Sequence, residues 1–233
     1  METLSQAAQL IGSFDAALMQ IVGLSLYVSL TATLIAAIIG IPLGAALAIW
    51  SFPLRGLLVV LSTTLMALPP VVVGLVVYLM LSRAGPLGDL GILFTPSAMI
   101  IAQTILITPI ILALTREAVL PLKREYEGLL LSLDAGPILT LKTLIWDARY
   151  GVITALLAGF GRALAEVGAV LIVGGNINGL TRVMTTTIAL ETSKGNLELA
   201  LSLGVILLTI AITINGAIHA IGRFGRRFEV TRE

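Results

Sequence analysis

Four stretches of this chain contain no Asp, Glu, Lys or Arg, and each is long enough for a helix to cross a membrane. They cover residues 16–54, 56–82, 90–115 and 199–222, with 39, 27, 26 and 24 residues. About 20 helical residues cross a hydrocarbon core of about 30 Å. Only 12% of the residues are charged, against about 25% in an ordinary soluble domain. The pattern predicts an all-α membrane protein and excludes a soluble enzyme.

A fifth apolar segment, residues 150–173, differs from the others because it contains Arg162 and Glu166. Each charge at a helix centre costs about 2.5–3.5 kcal/mol on insertion scales, which the surrounding apolar residues offset. We therefore predict five transmembrane helices in one transmembrane domain, residues 1–233. The predicted spans are about 19–50, 57–82, 90–115, 150–173 and 199–222.

The basic residues predict which way the chain crosses the membrane. With the C-terminus in the cytoplasm, only Arg83, Arg182 and Lys194 lie outside, and ten basic residues lie inside. This bias places the N-terminus out and the C-terminus in. The ten are Arg55, Arg116, Lys123, Arg124, Lys142, Arg149, Arg223, Arg226, Arg227 and Arg232.

The two ends of the chain carry further expectations. Met1 and Glu2 supply no basic signal-peptide region, so we expect the first apolar run to stay attached as a membrane anchor, preceded by an interfacial segment. The basic tail from Arg223 onward suits anionic lipid headgroups. A net charge of +1 is too small for a nucleic-acid binder.

The residue types also limit the chemistry of the chain. It has no cysteine and a single histidine, His219, which excludes disulfides, thiolate zinc sites and Ser–His catalysis. No Gly-x-x-x-x-Gly-Lys-Ser/Thr run is present, so the sequence offers no phosphate-binding loop for ATP. We expect no catalytic residue, no metal and no cofactor on this chain.

Residues 116–149 hold ten of the 27 charged residues and form the one long cytoplasmic loop. Pro121 and the Asp-Ala-Gly-Pro run at 134–137 predict short helices separated by turns. A solvated connector does not need a cluster of leucines, whereas a helix that docks into a groove of a partner does. The leucines are Leu129, Leu130, Leu131 and Leu133.

Residues 125–136, Glu-Tyr-Glu-Gly-Leu-Leu-Leu-Ser-Leu-Asp-Ala-Gly, resemble a degenerate copy of the Glu-Ala-Ala loop of ABC importer permeases. In this alignment Gly128 stands where the first Glu of the family would be, and Asp134 stands where its Gly would be. Residues 67–75, 160–169 and 173–177 are similar to the molybdate and tungstate branch of these permeases. Residues 181–195 are most similar to tungstate permeases.

The resemblance implies an ABC importer permease (MetI-like) fold in the cytoplasmic (inner) membrane. It also implies a homodimer, two ABC ATPase subunits that bind ATP and Mg, and an extracytoplasmic oxyanion-binding protein. We expect the ATPase to contact the loop through a turn set by Asp134 and Gly136, since Asp tolerates the left-handed conformation. The expected ATPase-coupling residues are Glu125, Glu127, Gly128, Leu129, Leu133, Asp134, Ala135 and Gly136.

Four residues inside the predicted spans are candidates for the translocation pathway or its gate. Arg162 and Glu166 are four residues apart and so lie on one face of a helix. They form either an internal pair that fixes packing, or a site where Arg162 contacts a passing anion, or part of a gate. Pro69 and Pro70 either kink an apolar helix or expose backbone carbonyls, together with the Thr63 and Thr64 hydroxyls, to a cavity.

Three further candidates follow the fourth span. The Gly-rich run 174–179 is expected to end the helix on the outer side, where Asn176 either lines an outer gate or belongs to an ordinary turn. Thr185 and Thr186 form either a hydroxyl-lined path for an oxyanion or a solvated capping turn.

The sequence therefore predicts the permease subunit of an ATP-driven oxyanion importer, with tungstate as the leading substrate. Molybdate is the alternative, followed by sulfate, because residue chemistry does not separate tungstate from molybdate. A secondary carrier that uses Glu166 as its ion-coupling group is the alternative from a different class.

Overall fold

The computed structural model describes residue 12 and residues 15–230, with side chains up to residue 220. The residues Met1 and Glu2, most of the predicted interfacial segment ahead of the first span and the side chains of the basic tail lie outside the described residues. Residues 16–18, predicted as part of that segment, belong to the first helix. The described part contains a 3-10 turn at Gly88–Leu90 and nine α-helices. They are α1 (Ala16–Ile49), α2 (Arg55–Met66), α3 (Pro70–Leu81), α4 (Pro96–Ser132), α5 (Pro137–Asp147), α6 (Arg149–Leu164), α7 (Gly168–Gly174), α8 (Met184–Lys194) and α9 (Leu197–Val230).

Three helices are each long and apolar enough to cross a membrane: α1, α4 and the 197–220 portion of α9. Two further pairs, α2 with α3 and α6 with α7, pass this test only when each pair is taken together across a short, bent break. The described chain therefore offers three to five spans. It reaches the predicted five if each bent pair forms one span.

The Pro69–Pro70 step divides the predicted span 57–82 into two helices of 12 residues each, instead of kinking one helix. Pro70 occupies the first turn of α3, where its missing N–H costs nothing. Pro69 is extended, with φ −63° and ψ 123°, as the residue before a proline prefers. The Thr63 and Thr64 hydroxyls donate to carbonyls within α2.

Helix α4 departs from the predicted break at Pro121, because it continues through Pro109 and Pro121 as one helix. Its 37 residues extend about 55 Å at 1.5 Å each, well beyond a hydrocarbon core of about 30 Å. The segment from Arg116 to Ser132, predicted as part of a loop, is therefore a continuation of the third span. Each proline removes one backbone hydrogen bond, but tertiary packing of the fully buried Val119 holds the helix together at this level.

The described residues group into two compact units. The first comprises residues up to 32, 69–105 and 161–213, and the second comprises 33–68, 106–160 and residues from 214 onward. In the first unit, α3 and α7 approach so closely that a Cβ added to Gly74 would lie 2.7 Å from the Cα of Ala169. The amide of Phe94 donates to the carbonyl of Val173 at 3.0 Å and ties the segment before α4 to α7.

The second unit has its own apolar core, which joins α5 to the membrane helices. Its buried members are Ala45, Ala48, Val119, Leu144, Ala148 and Val152. At Gly44 of α1, an added Cβ would collide with the carbonyl oxygen of Leu112 in α4. Close backbone contact at Gly44 therefore fixes α1 against α4, and burial of Leu144 packs α5 against Ala45, Ala48 and Val119.

Candidate functional site

The predicted span 150–173 is interrupted at residues 165–167, and Glu166 lies in this break instead of on a helix face. Arg162 and Glu166 nevertheless form the expected ion pair, with Nη1 2.9 Å from Oε2. The pair therefore joins the last turn of α6 to the break before α7. The i, i+4 spacing in the sequence did not predict this break.

Glu166 is held by several groups at once. Its Oε1 accepts the backbone amide of Ala169 at 3.2 Å, and its carbonyl accepts the Thr185 hydroxyl at 2.7 Å. The Glu166 side chain is 4% exposed, whereas that of Arg162 is 39% exposed. The carboxylate is thus buried, neutralised and bonded, while the guanidinium of Arg162 retains access to its surroundings.

A small cavity of about 10 Å³ adjoins Glu166 in the first unit. Gln103 lines it and donates from Nε2 to the Ala163 carbonyl at 3.0 Å, but Gln103 Oε1 has no hydrogen-bond partner among the described residues. Ser25, which also lines the cavity, accepts the Met184 amide at 2.8 Å. The volume corresponds to about one water molecule, so the cavity is too small for a tetrahedral oxyanion.

We call Arg162, Glu166, Thr185, Gln103 and Ser25 the Glu166 cluster. The sequence analysis identified the first three and missed Gln103 and Ser25. A glutamine inside a span without charged residues is costly in hydrocarbon unless it is bonded, and this signal was available in residues 90–115.

Asn176 and Thr186 form a second bonded pair in the first unit. The Thr186 hydroxyl donates to Asn176 Oδ1 at 2.9 Å, and the Asn176 amide donates to the Thr186 carbonyl at 3.4 Å. Asn176 adopts the left-handed conformation, with φ 51°. Thr186 caps α8, because its hydroxyl accepts the backbone amide of Val183 at 3.2 Å. Thr185 and Thr186 are buried in the first turn of α8, so this capping turn is not solvated as predicted.

Glu191, in α8 and outside the membrane-spanning helices, is the other buried carboxylate of this unit. Its Oε1 lies 3.0 Å from Lys194 Nζ, and its Oε2 accepts the Asn196 amide at 3.0 Å. The hydrogen bond from Lys194 lowers the pKa of Glu191 below its ordinary value and outweighs burial, which acts in the opposite direction. Glu191 is therefore a charged, structurally engaged residue.

The turn that follows α4 is present where the sequence predicts it. The amides of Asp134 and Ala135 donate to the carbonyls of Leu131 and Leu130 at 3.2 and 3.0 Å, which is the Schellman pattern at a helix C-terminus. Asp134 has φ 47° and takes the left-handed position that glycine usually occupies. Gly136, expected to help set the turn, has an ordinary φ of −61° that any residue can adopt.

Six apolar side chains around this turn are exposed, and we call them the turn surface. Leu129, Leu131 and Leu133 are 58%, 76% and 68% exposed. The other face of α5 packs into the core through Leu144. Helix α5 is therefore apolar on both faces, and its outer face has no cover within the described chain. The members of the turn surface are Leu129, Leu131, Leu133, Ile138, Leu139 and Trp146.

Three predicted coupling residues beside the turn surface, Glu125, Glu127 and Gly128, differ in their hydrogen-bond and ion-pair partners. Glu127 is paired with Lys123, with Nζ 2.6 Å from Oε1. Glu125 is exposed, and the Gly128 carbonyl accepts the Ser132 hydroxyl at 2.8 Å. Glu125 and Glu127 are both exposed, and Glu127 is paired with Lys123.

The known proteins that resemble this chain are named as transport permeases. No family model matches the sequence. The tungstate uptake system permease TupB of Peptoclostridium acidaminophilum is 43% identical over 215 residues, which cover 92% of this chain and 94% of the relative. A probable anion ABC transporter permease of Haloferax volcanii is 41% identical, covering 85% and 88% of the two chains. The molybdenum transport permease ModB of Azotobacter vinelandii is 29% identical, covering 71% and 76%.

Proposed function

The chain belongs to the permease subunits of ABC transporters, and we propose that it is the membrane-spanning subunit of an ATP-driven importer of tungstate. The observation that carries this proposal is 43% identity to a tungstate uptake permease over nearly the full length of both chains. The long apolar helices place the protein in the cytoplasmic membrane as a multi-pass component.

Molybdate is the second candidate substrate, because a molybdenum transport permease is also a relative, at 29% identity. Tungstate and molybdate are tetrahedral dianions of nearly equal size, so a permease with little direct contact to the anion discriminates poorly between them. Selection is therefore assigned mainly to an extracytoplasmic oxyanion-binding protein. Sulfate ranks below both.

The energy for transport is assigned to a separate ATPase that docks on the turn surface. The exposed leucines support this assignment because an apolar surface outside the hydrocarbon is typical of a protein interface. Docking there transmits motion directly to α4, since the turn is the end of that helix. ATP and Mg are bound by the partner, and two copies of this chain pair with two ATPase subunits.

Five spans with the N-terminus outside and the C-terminus inside place the turn surface in the cytoplasm. The distribution of basic residues supports this orientation. It also places the loop at 174–183 and helix α8 on the outer side, where the binding protein delivers the anion.

The Arg162–Glu166 pair is assigned a positioning role at the break between α6 and α7. Its charges neutralise each other at 2.9 Å, so it presents little net attraction to a dianion. A secondary carrier requires a carboxylate that exchanges its ion, whereas Glu166 is buried and bonded to Arg162 and to the Ala169 amide.

Uptake into proteoliposomes tests the proposal. The chain is reconstituted with its ATPase and binding protein, and labelled tungstate is offered with and without ATP. We expect uptake that requires ATP and is inhibited more strongly by unlabelled tungstate or molybdate than by sulfate. Uptake that is independent of ATP would refute the importer and favour an ion-coupled carrier.

A further inference from the structure

A cavity with a volume of about 320 Å³ lies in the first unit. It opens between the start of α1 and the turn that leads into α8. Gln20 and Tyr27 line it from α1, and Asn178 and Arg182 line it from the turn. None of its lining residues belongs to the Glu166 cluster or to the turn surface.

Arg182 supplies the charge of this pocket. Its Nη1 donates to Asn178 Oδ1 at 3.2 Å, and its Nε has no hydrogen-bond partner in the described chain. Among the residues that the structure describes, no carboxylate lies within 4.0 Å of the guanidinium. Arg182 is therefore a half-buried cation whose direct partner is a neutral amide.

The negative charge of Glu191 does not neutralise Arg182. Glu191 interacts electrostatically with Arg182, but both of its oxygens are engaged, one by Lys194 and one by Asn196. The group of Arg182, Lys194 and Glu191 thus keeps one net positive charge beside the pocket.

The pocket has a polar end and an apolar wall. Gln20 donates from Nε2 to the Gly179 carbonyl at 3.3 Å and lies at the polar end with Asn178 and Arg182. Ile21 and Leu24 contribute apolar side chains along α1. A guanidinium has five donors in a planar fork, which matches the oxygens of a phosphate or a similar tetrahedral anion.

We propose that Arg182, supported by Gln20 and Asn178, binds an anionic tetrahedral oxygen group in this pocket. Two sources have this chemistry: the phosphate of an anionic phospholipid, whose acyl chain would follow the apolar wall, and a free oxyanion. The second source rests on the proposed function, whereas the first does not depend on it.

The test uses the full chain purified in detergent, without an ATPase, so that it does not depend on transport. Thermal unfolding is measured with added phosphatidylglycerol or phosphatidylcholine, and separately with sodium tungstate or sodium chloride at equal ionic strength. We expect phosphatidylglycerol, tungstate or both to raise the unfolding temperature of the native chain. We also expect about tenfold more ligand to be needed in Arg182→Gln, and an intermediate shift in Arg182→Lys.

Two further variants keep the result interpretable. Arg83→Gln removes another basic residue predicted on the outer side, exposed in a different loop, and should respond as the native chain does. Asn178→Asp keeps Arg182 but gives it a carboxylate partner, so it should weaken binding even if Arg182→Gln folds poorly.

The separate phosphatidylglycerol and tungstate titrations distinguish a lipid phosphate from a free oxyanion as the ligand. A response to phosphatidylglycerol alone that requires Arg182 assigns the site to a lipid, and a response to tungstate alone assigns it to a free oxyanion. No response of the native chain to either ligand overturns the proposal, as does an equal response in the native chain and Asn178→Asp. Loss of ATP-driven uptake in the separate assay leaves these binding results unaffected.

Discussion

Two helix interruptions in this protein differ in how far contacts within the chain bury and bond their side chains. At the break between α6 and α7, Glu166 is buried and bonded to Arg162 and to the Ala169 amide. At the turn between α4 and α5, the amides of Asp134 and Ala135 are also bonded within the chain, but Leu131 and Leu133 are 76% and 68% exposed. The first site is stabilised by contacts within the chain, whereas the second leaves apolar side chains exposed, at the surface where we propose that the ATPase docks.

The difference follows from where each interruption stands along the sequence. A buried polar group is costly unless it is hydrogen-bonded, and the Glu166 carboxylate is bonded within the chain. The turn follows a helical segment with four charged residues between 116 and 124, which predicts a position outside the hydrocarbon. Exposed leucines at such a position are typical of a surface that binds a partner.

The largest expected effect comes from removing Arg162. Arg162→Leu leaves the Glu166 carboxylate buried without its partner and should cost about 3 kcal/mol of stability, the lower end for a broken buried pair. Glu166→Gln removes the charge but keeps an acceptor for the Ala169 amide, and the 39% exposed Arg162 side chain can reach water. Its cost should be about 1 kcal/mol. Thermal unfolding in detergent measures both variants.

The double variant Arg162→Leu with Glu166→Gln provides the control for this asymmetry. Because it leaves no buried charge, it should be more stable than Arg162→Leu alone. If Glu166→Gln proved more damaging than Arg162→Leu, the pair would not act by neutralising a buried carboxylate.

The next effect concerns the turn surface. Leu131→Ser with Leu133→Ser removes two exposed apolar side chains, each worth about 1.5–3 kcal/mol when fully buried in an interface. We expect the affinity for the ATPase to fall at least tenfold, measured by co-purification over a concentration series, with unchanged thermal stability. Leu90→Ser, at an exposed leucine away from the turn, is the matched control. Equal capture by all three proteins would exclude the turn surface as the docking site.

A smaller effect tests the geometry of the turn itself. Asp134 has φ 47°, where glycine is favoured by about 1 kcal/mol. Asp134→Gly should therefore raise the unfolding temperature, and Asp134→Val should lower it. Gly136 has an ordinary φ and open space around its Cα, so Gly136→Ala should have no measurable effect. A loss of stability in Asp134→Gly would show that the aspartate side chain, and not the backbone, holds the turn.

The smallest effect is a pH dependence at Glu191. Because its pKa is lowered in the folded chain, its stabilising contribution is complete above the ordinary glutamate value of about 4.3 and is lost as the pH falls below it. The stability difference between the native chain and Glu191→Gln should therefore be largest near neutral pH and shrink toward pH 4. A difference that grows on acidification would contradict the charged state assigned to Glu191.

Much of this architecture follows from the sequence because long runs without charge have few alternative structures. The helices near residues 19–50 and 199–222 were predicted for this reason, and the turn at Asp134 was predicted from its Asp-Ala-Gly-Pro run. The coupling role of that turn stays a prediction.

The errors came from prolines and from long-range bonds. Pro121 was expected to break a helix. The backbone hydrogen bond that is lost at Pro121 does not break α4, because packing of Val119, fully buried two residues away, holds the helix together. Pro69–Pro70 was expected either to kink a helix or to expose backbone carbonyls to a cavity, but the first helix ends at Met66 and the next begins at Pro70. Glu166 was placed in a helix because periodicity along 150–173 does not report the Ala169 amide and Thr185 hydroxyl that hold it in a break.

Hydrogen–deuterium exchange of the full chain, alone and with its ATPase, compares the two interruptions most directly. Residues 129–146 should exchange more slowly when the ATPase is bound, because the turn surface becomes buried. Residues 162–169, whose polar groups are already bonded within the chain, should exchange at the same rate in both samples. If residues 129–146 exchanged equally fast with and without the ATPase, the turn surface would not be the site that a partner completes.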